Sequence, residues 1–363
     1  MINERLLEIF LQLVKIEGLS NSEKSVASYI TYFLKNLGLS PYEDNSKEIT
    51  KGNTGNIICK IGSGGSFVLV THMDTARSTK DVNPQIRKDR ITSDGTTVLG
   101  VDNRAGIAVI LYTIEKVKKE KIHIKDFTVA FVTNEETTLD GSRNVNLDEN
   151  IKMGFIFDSH LRPGYFINGS CGAADFFIRV IGKASHSGIA PEKGIDAISI
   201  ASKAIAATKL GRLDEESTAN IGTIQGGIAA NVVPDEIVLE GEVRSINLSK
   251  VKKKLEEIKN KFKEFAHAVG GDIKFECRWD FMPYKIEPEM EVYKRIEEVL
   301  RKVGLSPEAK ISWGGSDANS LNERGIHSVN IGIGAQNPHS NDEFILFEDL
   351  QKSHEIALEL IKK

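Results

Sequence analysis

The chain has 363 residues, 40% hydrophobic and 27% charged, with a formal net charge of −4. That length suggests about two domains, and the interspersed charge excludes a basic nucleic-acid footprint. No apolar run approaches the ~20 residues that cross a bilayer, and Cys59, Cys171 and Cys277 lie too far apart for a disulfide framework or a CxxC metal clasp.

The amino-terminal stretch carries acids among its leucines and lacks the basic segment and cleavage site of a secretory signal. A cytoplasmic protein is expected, its three thiols in or near the core in a reducing compartment. Residues 4–18 and 22–38 show helical periodicity, with Asn21 or Ser22 as N-cap of the second helix. Strands follow at 55–61 and 66–74, a helix at 102–120, then apolar strands at 126–136 and 153–160. This alternation predicts an α/β layer with a largely parallel sheet. The glycines of GSGGS (62–66) fit neither a dinucleotide nor a Walker A spacing and read as a hairpin turn.

The middle of the chain differs. A strand at 175–183, a helix at 196–210, strands at 217–227 and 235–246, a helix at 249–269 and a strand at 272–281 give the order β-α-β-β-α-β of a ferredoxin-like unit. Glutamates interrupt the lysines between Lys250 and Lys263, so that helix reads as a solvated face. Helices at 289–304 and 347–363 and a strand at 326–334 return to the first layer. The expected organisation is therefore a catalytic α/β domain of residues 1–173 and 282–363, with residues 174–281 inserted.

Candidate chemistry gathers at strand ends. His72 and Asp74 in THMD share one face of a strand, where the carboxylate can hold the imidazole in one tautomer. Asp102 lies in VLGVDNRAG, where a plain helix N-cap is the competing reading. Glu135 and Glu136 end the next strand; solvated loop acids are the alternative, yet adjacent carboxylates repel unless a cation or proton intervenes. Asp158 ends another strand and His339 follows a late one. Singly each is ambiguous. Jointly, five segments bring metal-ligand types to one edge of the sheet, where sites form in open α/β folds. His72, Asp102, Glu136, Asp158 and His339 can serve two divalent ions, with Glu135 as a non-ligating base for a water of lowered pKa. The mixed donors favour Zn2+, with Co2+ or Mn2+ as substitutes.

The motifs THMDT, LGVDNRAG, TNEE, FDSH, KASHSGIAPEKG, GGIAANVVPDE, GGSDA and NPHS, in that order over nearly the whole chain, resemble those of the M20 metallopeptidases, most of all the peptidase T (tripeptidase) branch. The resemblance implies a zinc-peptidase-like α/β catalytic domain and an inserted ferredoxin-like α+β domain that serves as lid and dimer contact. His72 and Asp158 would bind one ion, Glu136 and His339 the other, and Asp102 would bridge them, followed by a cis peptide bond to Asn103. Asp74 would orient His72, and Glu135 would be the general base. His186 would polarise the scissile carbonyl, in its own subunit or across a homodimer. Asn231 and Arg244 would grip the substrate, the guanidinium suiting a peptide carboxylate.

The implied reaction is release of the N-terminal residue of a short peptide, with no nucleic-acid or membrane partner. An aspartate at position 158 and the FDSH setting depart from other branches and leave the substrate open. An N-acyl amino acid amidohydrolase would need the same metals and base. A non-catalytic metal-binding protein would show loss of the base or of a ligand, and no such loss is visible. His123, His160, His267, His327 and His354 lie off the motifs, while Trp313 with Gly314-Gly315 reads as a pocket wall or as plain core and turn.

Overall fold

The computed structural model describes residues 2–363. They form two compact units: one runs to Gly169 and resumes over Lys285–Ser312 and Ser316–Lys363, and the other comprises Ser170–Tyr284 with Trp313–Gly315. In chain order the principal elements are α1 (Glu4–Val14), α2 (Lys24–Asn36), β1 (Ile57–Ile61), β2 (Phe67–His72), α3 (Val101–Glu120), β3 (Phe127–Val132) and β4 (Met153–Ser159). Then come β5 (Gly172–Ile181), α4 (Ala197–Ala206), β6 (Ser217–Gly226), β7 (Glu236–Ser245), α5 (Leu248–His267) and β8 (Asp272–Phe281). The chain ends with α6 (Glu291–Lys302), α7 (Asp317–Glu323), β9 (His327–Gly332) and α8 (Phe347–Ile361).

The first unit is built on a nine-stranded sheet among the described residues, whose central order is β1-β3-β2-β4-β9. β2 runs parallel to β3 and β4, and β9 parallel to β4, while β1 and the strand Tyr165–Ser170 flank this core antiparallel. The parallel expectation thus holds for the centre and not for the flanks. Every residue of β2 and β3 is buried, as strands covered on both faces require. Phe67, Phe127, Phe131, Phe155 and Phe157 are fully enclosed, each stabilising the fold by about 1.5–3 kcal/mol.

Three expectations are corrected. GSGGS does not form a hairpin, because β3 lies between β1 and β2. The loop is a crossover fixed to Asp126, whose carboxylate accepts from the Ser63 amide at 3.0 Å and hydroxyl at 2.6 Å. Glu23, not Asn21 or Ser22, occupies the N-cap position of α2, and it makes no side-chain cap bond. Cys59 and Cys171 are buried, but Cys277 is exposed, because β8 is the outermost strand of its sheet and largely uncovered.

In the second unit β6-β7-β5-β8 form an antiparallel sheet, with the strand Gly211–Asp214 added beside β6. The order is that of a ferredoxin-like βαββαβ unit. Phe176, Ile178 and Val180 of β5 pack with Ile200 of α4 and with Ile258 and Phe262 of α5 in its core.

Candidate metal centre

The carboxyl ends of β2, β3, β4 and β9 point to one edge of the central sheet, and the connections leaving them carry the candidate residues. His72 is the last residue of β2 and is wholly buried. Asp158 lies one residue before the end of β4. Glu135 and Glu136 follow β3. His339 sits in the loop after β9, which is closed by paired backbone hydrogen bonds between Gln336 and Phe344 at 3.0 and 3.1 Å.

Asp102 is not a helix N-cap. It opens α3 with non-helical dihedrals, and its peptide bond to Asn103 is cis. Gly106, one turn further on, permits the close approach of α3 to the sheet. A Cβ there would lie 2.3 Å from the Phe157 carbonyl oxygen and 2.5 Å from Asn103 Oδ1 and Thr71 Oγ1.

These residues converge. His72 Nε2 is 3.0 Å from Asp102 Oδ1 and 3.2 Å from Asp158 Oδ1. His339 Nε2 is 3.3 Å from Asp102 Oδ2 and 3.1 Å from Glu136 Oε2. Ligand atoms of His72, Asp102 and Asp158 lie within 4.8 Å of one another, as do those of Asp102, Glu136 and His339 and those of His72, Glu135 and Glu136. Asp102 belongs to the first two groups, one carboxylate oxygen toward each imidazole.

The electrostatics follow from four carboxylates sharing two imidazoles in a largely enclosed space. Burial opposes a charge on His72, but hydrogen bonds to Asp102, Asp158 and Asp74 outweigh it and hold its pKa well above the usual imidazole value. Hydrogen bonds to Asp102 and Glu136 raise His339 to about 10. Burial pushes Glu135 well above the carboxylate range, and the charges of Asp158, Asp317 and Glu136 add to the push while His72 opposes it. Burial also raises Glu136. Hard oxygens and borderline imidazole nitrogens at this spacing, with excess negative charge, are a donor set that suits divalent cations.

Several further residues support these side chains. Asn330 of β9 donates to Asp158 Oδ2 at 3.0 Å. Asn103 donates to Asp158 Oδ1 at 3.3 Å and to the Phe157 carbonyl at 2.7 Å. Arg77 donates to the His339 carbonyl at 3.3 Å. Asn330 and Asn103 are buried amides beside a strand-end carboxylate, a weak trace in a sequence, and the exposed Arg77 leaves none.

Asp74 lies against the His72 ring. His72 Nδ1 lies 3.1 Å from the backbone carbonyl of Asp74 and 3.4 Å from its carboxylate. Both the carbonyl and the carboxylate of Asp74 thus face Nδ1 of the ring. The carboxylate also accepts from the Ser20 hydroxyl at 2.7 Å and from the Glu135 and Glu136 amides at 3.1 Å each.

His186, Asn231 and Arg244 belong to the second unit. His186 is exposed, its Nδ1 accepting from the Gly188 amide at 3.2 Å. The Asn231 carbonyl accepts from the Ser187 amide at 3.0 Å, so the segments carrying His186 and Asn231 are neighbours. Arg244 on β7 donates to Glu242 Oε2 at 2.9 Å and to the Trp313 carbonyl at 2.8 Å. Of the remaining histidines, His354 is buried against Thr113 and His267 contacts Asp272 at the surface.

An α/β sheet with imidazoles and carboxylates at its carboxyl edge, and a separate ferredoxin-like unit, defines a hydrolase of the metallopeptidase type. The peptidase dimerisation domain model of the M20 family matches residues 168–269, and the M42 glutamyl aminopeptidase model matches residues 86–162. The chain is 34% identical to the protein YqjE of Bacillus subtilis, over 100% of this chain and 99% of that one. The crystal structure of the aminopeptidase PepT from Bacillus cereus superposes with a TM-score of 0.93 at 32% identity, covering 99% of this chain and 98% of that one. A tripeptidase from Staphylococcus aureus also gives 0.93, at 33% identity, with 100% and 98% covered. The chain belongs to the M20 peptidases, on their peptidase T-like side, and is a hydrolase of peptide bonds. No helix among the described residues is long and apolar enough to cross a membrane.

Proposed function

We propose that this protein is a two-metal aminopeptidase that removes the N-terminal residue from short peptides, tripeptides foremost. The observation that carries this reading is the pair of ligand groups sharing Asp102: His72, Asp102 and Asp158 on one side, and Asp102, Glu136 and His339 on the other. Each group would hold one divalent ion, zinc by its mixed donors. Bound there, the ions lower the pKa of a water towards ~7 and polarise the carbonyl under attack.

The chain's own groups do the rest. Glu135 lies within the same cluster and is left for proton transfer. Its carboxylate takes a proton from the attacking water and returns it to the leaving amine. His186 donates to the carbonyl oxygen: with Nδ1 accepting from Gly188, the proton sits on Nε2. Arg244 grips the peptide carboxylate with the Nε and Nη2 edge that now donates to Glu242 Oε2. Asn231 lines the same side as His186. The match of the dimerisation-domain model supports a homodimer joined through the second unit, which acts as a lid. The tripeptidase relative supports the choice of substrate.

The test is hydrolysis of a dipeptide, a tripeptide, a tetrapeptide and an N-acetyl amino acid, each with added zinc and again after chelation. Chelator-sensitive release of the N-terminal residue of the tripeptide is expected. Cleavage of the acetylated amino acid alone would overturn the aminopeptidase reading in favour of a deacylase.

A further inference from the structure

The segment between α1 and α2 contains Leu19-Ser20-Asn21-Ser22-Glu23, which caps no helix through its side chains. Its polar groups go elsewhere. Glu23 is wholly buried, and its Oε1 accepts from the Asn21 amide and from the Asn134 amide, both at 3.1 Å. Asn21 and Asn134 clasp each other: the Asn21 amide donates to Asn134 Oδ1 at 2.9 Å, and Asn134 Nδ2 donates to Asn21 Oδ1 at 2.8 Å. Both asparagines have left-handed backbones, with φ of 69° and 57°, a conformation that asparagine tolerates better than most residues. The next two residues after Asn134 are Glu135 and Glu136, whose amides are held by Asp74, itself bonded by Ser20.

We infer that Glu23 is a positioning residue for the reaction. Through the Asn21–Asn134 clasp it fixes the turn that aims the Glu135 and Glu136 carboxylates. The inference rests on the proposed roles of those two residues. Only Oε1 is used; Oε2 is buried without a hydrogen-bond partner. A glutamine therefore keeps the acceptor at Oε1, whereas a methionine fills the same volume and accepts nothing. Losing the acceptor leaves the buried Asn134 amide without its partner and the Asn21 amide with Asn134 Oδ1 alone; the turn can then shift, and a displacement of about 1 Å at the reacting groups can cost about a hundredfold in rate.

The experiment compares Glu23→Met, Glu23→Gln and Glu135→Ala with the wild type. It reads kcat and KM on the cleaved peptide, thermal unfolding, and calorimetric zinc titration of the metal-free protein. For Glu23→Met the expected result is a kcat lower by at least about tenfold with KM within about twofold, and weaker binding of one zinc equivalent by about 10–100-fold. Glu23→Gln should keep at least about half the kcat and both zinc affinities. If Glu23→Met does not fold, Asn134→Gly, which keeps the left-handed turn and deletes the clasp, must show the same kcat loss. A folded Glu23→Met or Asn134→Gly protein with wild-type kcat and zinc binding would overturn the inference. Full activity of Glu135→Ala would instead overturn the reading of the site on which it rests.

Discussion

Glu343 holds the backbone of Asp102 from four residues beyond His339. Its Oε1 accepts from the Asp102 amide at 3.0 Å and its Oε2 from the Gly100 amide at 2.6 Å. One buried carboxylate thus ties the loop of one candidate ligand to the turn of another. Burial pushes its pKa up to about 7, against the pull of those amides. Replacing Glu343 with alanine leaves two amides without their acceptor, which costs about 1–3 kcal/mol for each that stays dry. It also loosens the shared carboxylate, so zinc affinity is expected to fall about 10–100-fold. Thermal unfolding of the metal-free protein and zinc titration read the two effects separately.

Asp74 is expected to tolerate asparagine poorly. Besides facing the His72 ring, its two oxygens receive three donors, the Ser20 hydroxyl and the Glu135 and Glu136 amides. An asparagine Nδ2 would face an amide donor with a donor of its own. Asp74→Asn should therefore lose about 1–3 kcal/mol of stability, comparable to Asp74→Ala. If the carboxylate acted mainly on the His72 ring, asparagine would keep a usable acceptor there and the two variants would differ widely. Chemical unfolding of both, in the absence of metal, decides between the two cases.

What was legible in the sequence was whatever leaves a period or a motif. The apolar strands FVLVTH and FTVAFV announce themselves, and so does the amphipathic α5. The five candidate ligands stood out because each interrupts or follows such a run. Strand adjacency left no comparable trace. The insertion of β3 between β1 and β2 is set by which pair buries its faces best, a long-range choice that GSGGS does not encode. Short strands such as Glu308–Ser312, and the hairpin over Gln85–Thr92, have too few residues for a period to show. Glu343, Glu23 and Asn330 were invisible as supporting residues because they act on backbone amides or on another side chain across a long sequence separation.

Glu135→Gln separates the base from the ligands. The amide keeps the size of the side chain and cannot accept a proton, so kcat should fall by about 10²–10⁴. Zinc stoichiometry should stay at the wild-type value, because the two groups that share Asp102 do not use Glu135. A loss of bound zinc in this variant would reassign Glu135 to the group it shares with His72 and Glu136.

Zinc should also be a stabiliser in its own right. Four carboxylates confined with two imidazoles repel one another when no cation is bound. Ligand that binds only the folded state adds about 2.7 kcal/mol at a hundred times its dissociation constant. The metal-loaded protein should therefore melt higher than the chelated one by at least about 2–4 °C. The increment should shrink in Asp102→Asn, which loses the carboxylate common to both groups.

His354 offers a pH dependence away from the metal centre. It is buried on α8, its ring 4.5 Å from that of Tyr112. Thr113 Oγ1 donates to the Val109 carbonyl at 2.7 Å and lies 2.8 Å from His354 Nδ1, so it accepts the imidazole proton. Burial lowers the His354 pKa from 6.5 to about 4; Lys116 and Lys362 add to the lowering, and Glu355 and Glu120 oppose it. Above pH 6.5 neither the folded nor the unfolded chain carries the proton. As the pH falls from there towards about 4, the unfolded chain binds a proton that the fold refuses, and stability is lost. The loss from this one residue amounts to about 2 kcal/mol on going from about pH 7.5 to about pH 5. His354→Gln keeps an amide donor towards Thr113 and does not titrate. Unfolding of both proteins at the two pH values, with chelator throughout, should show the wild type losing that much more than the variant. Parallel losses would mean that protonated His354 is accommodated in the fold.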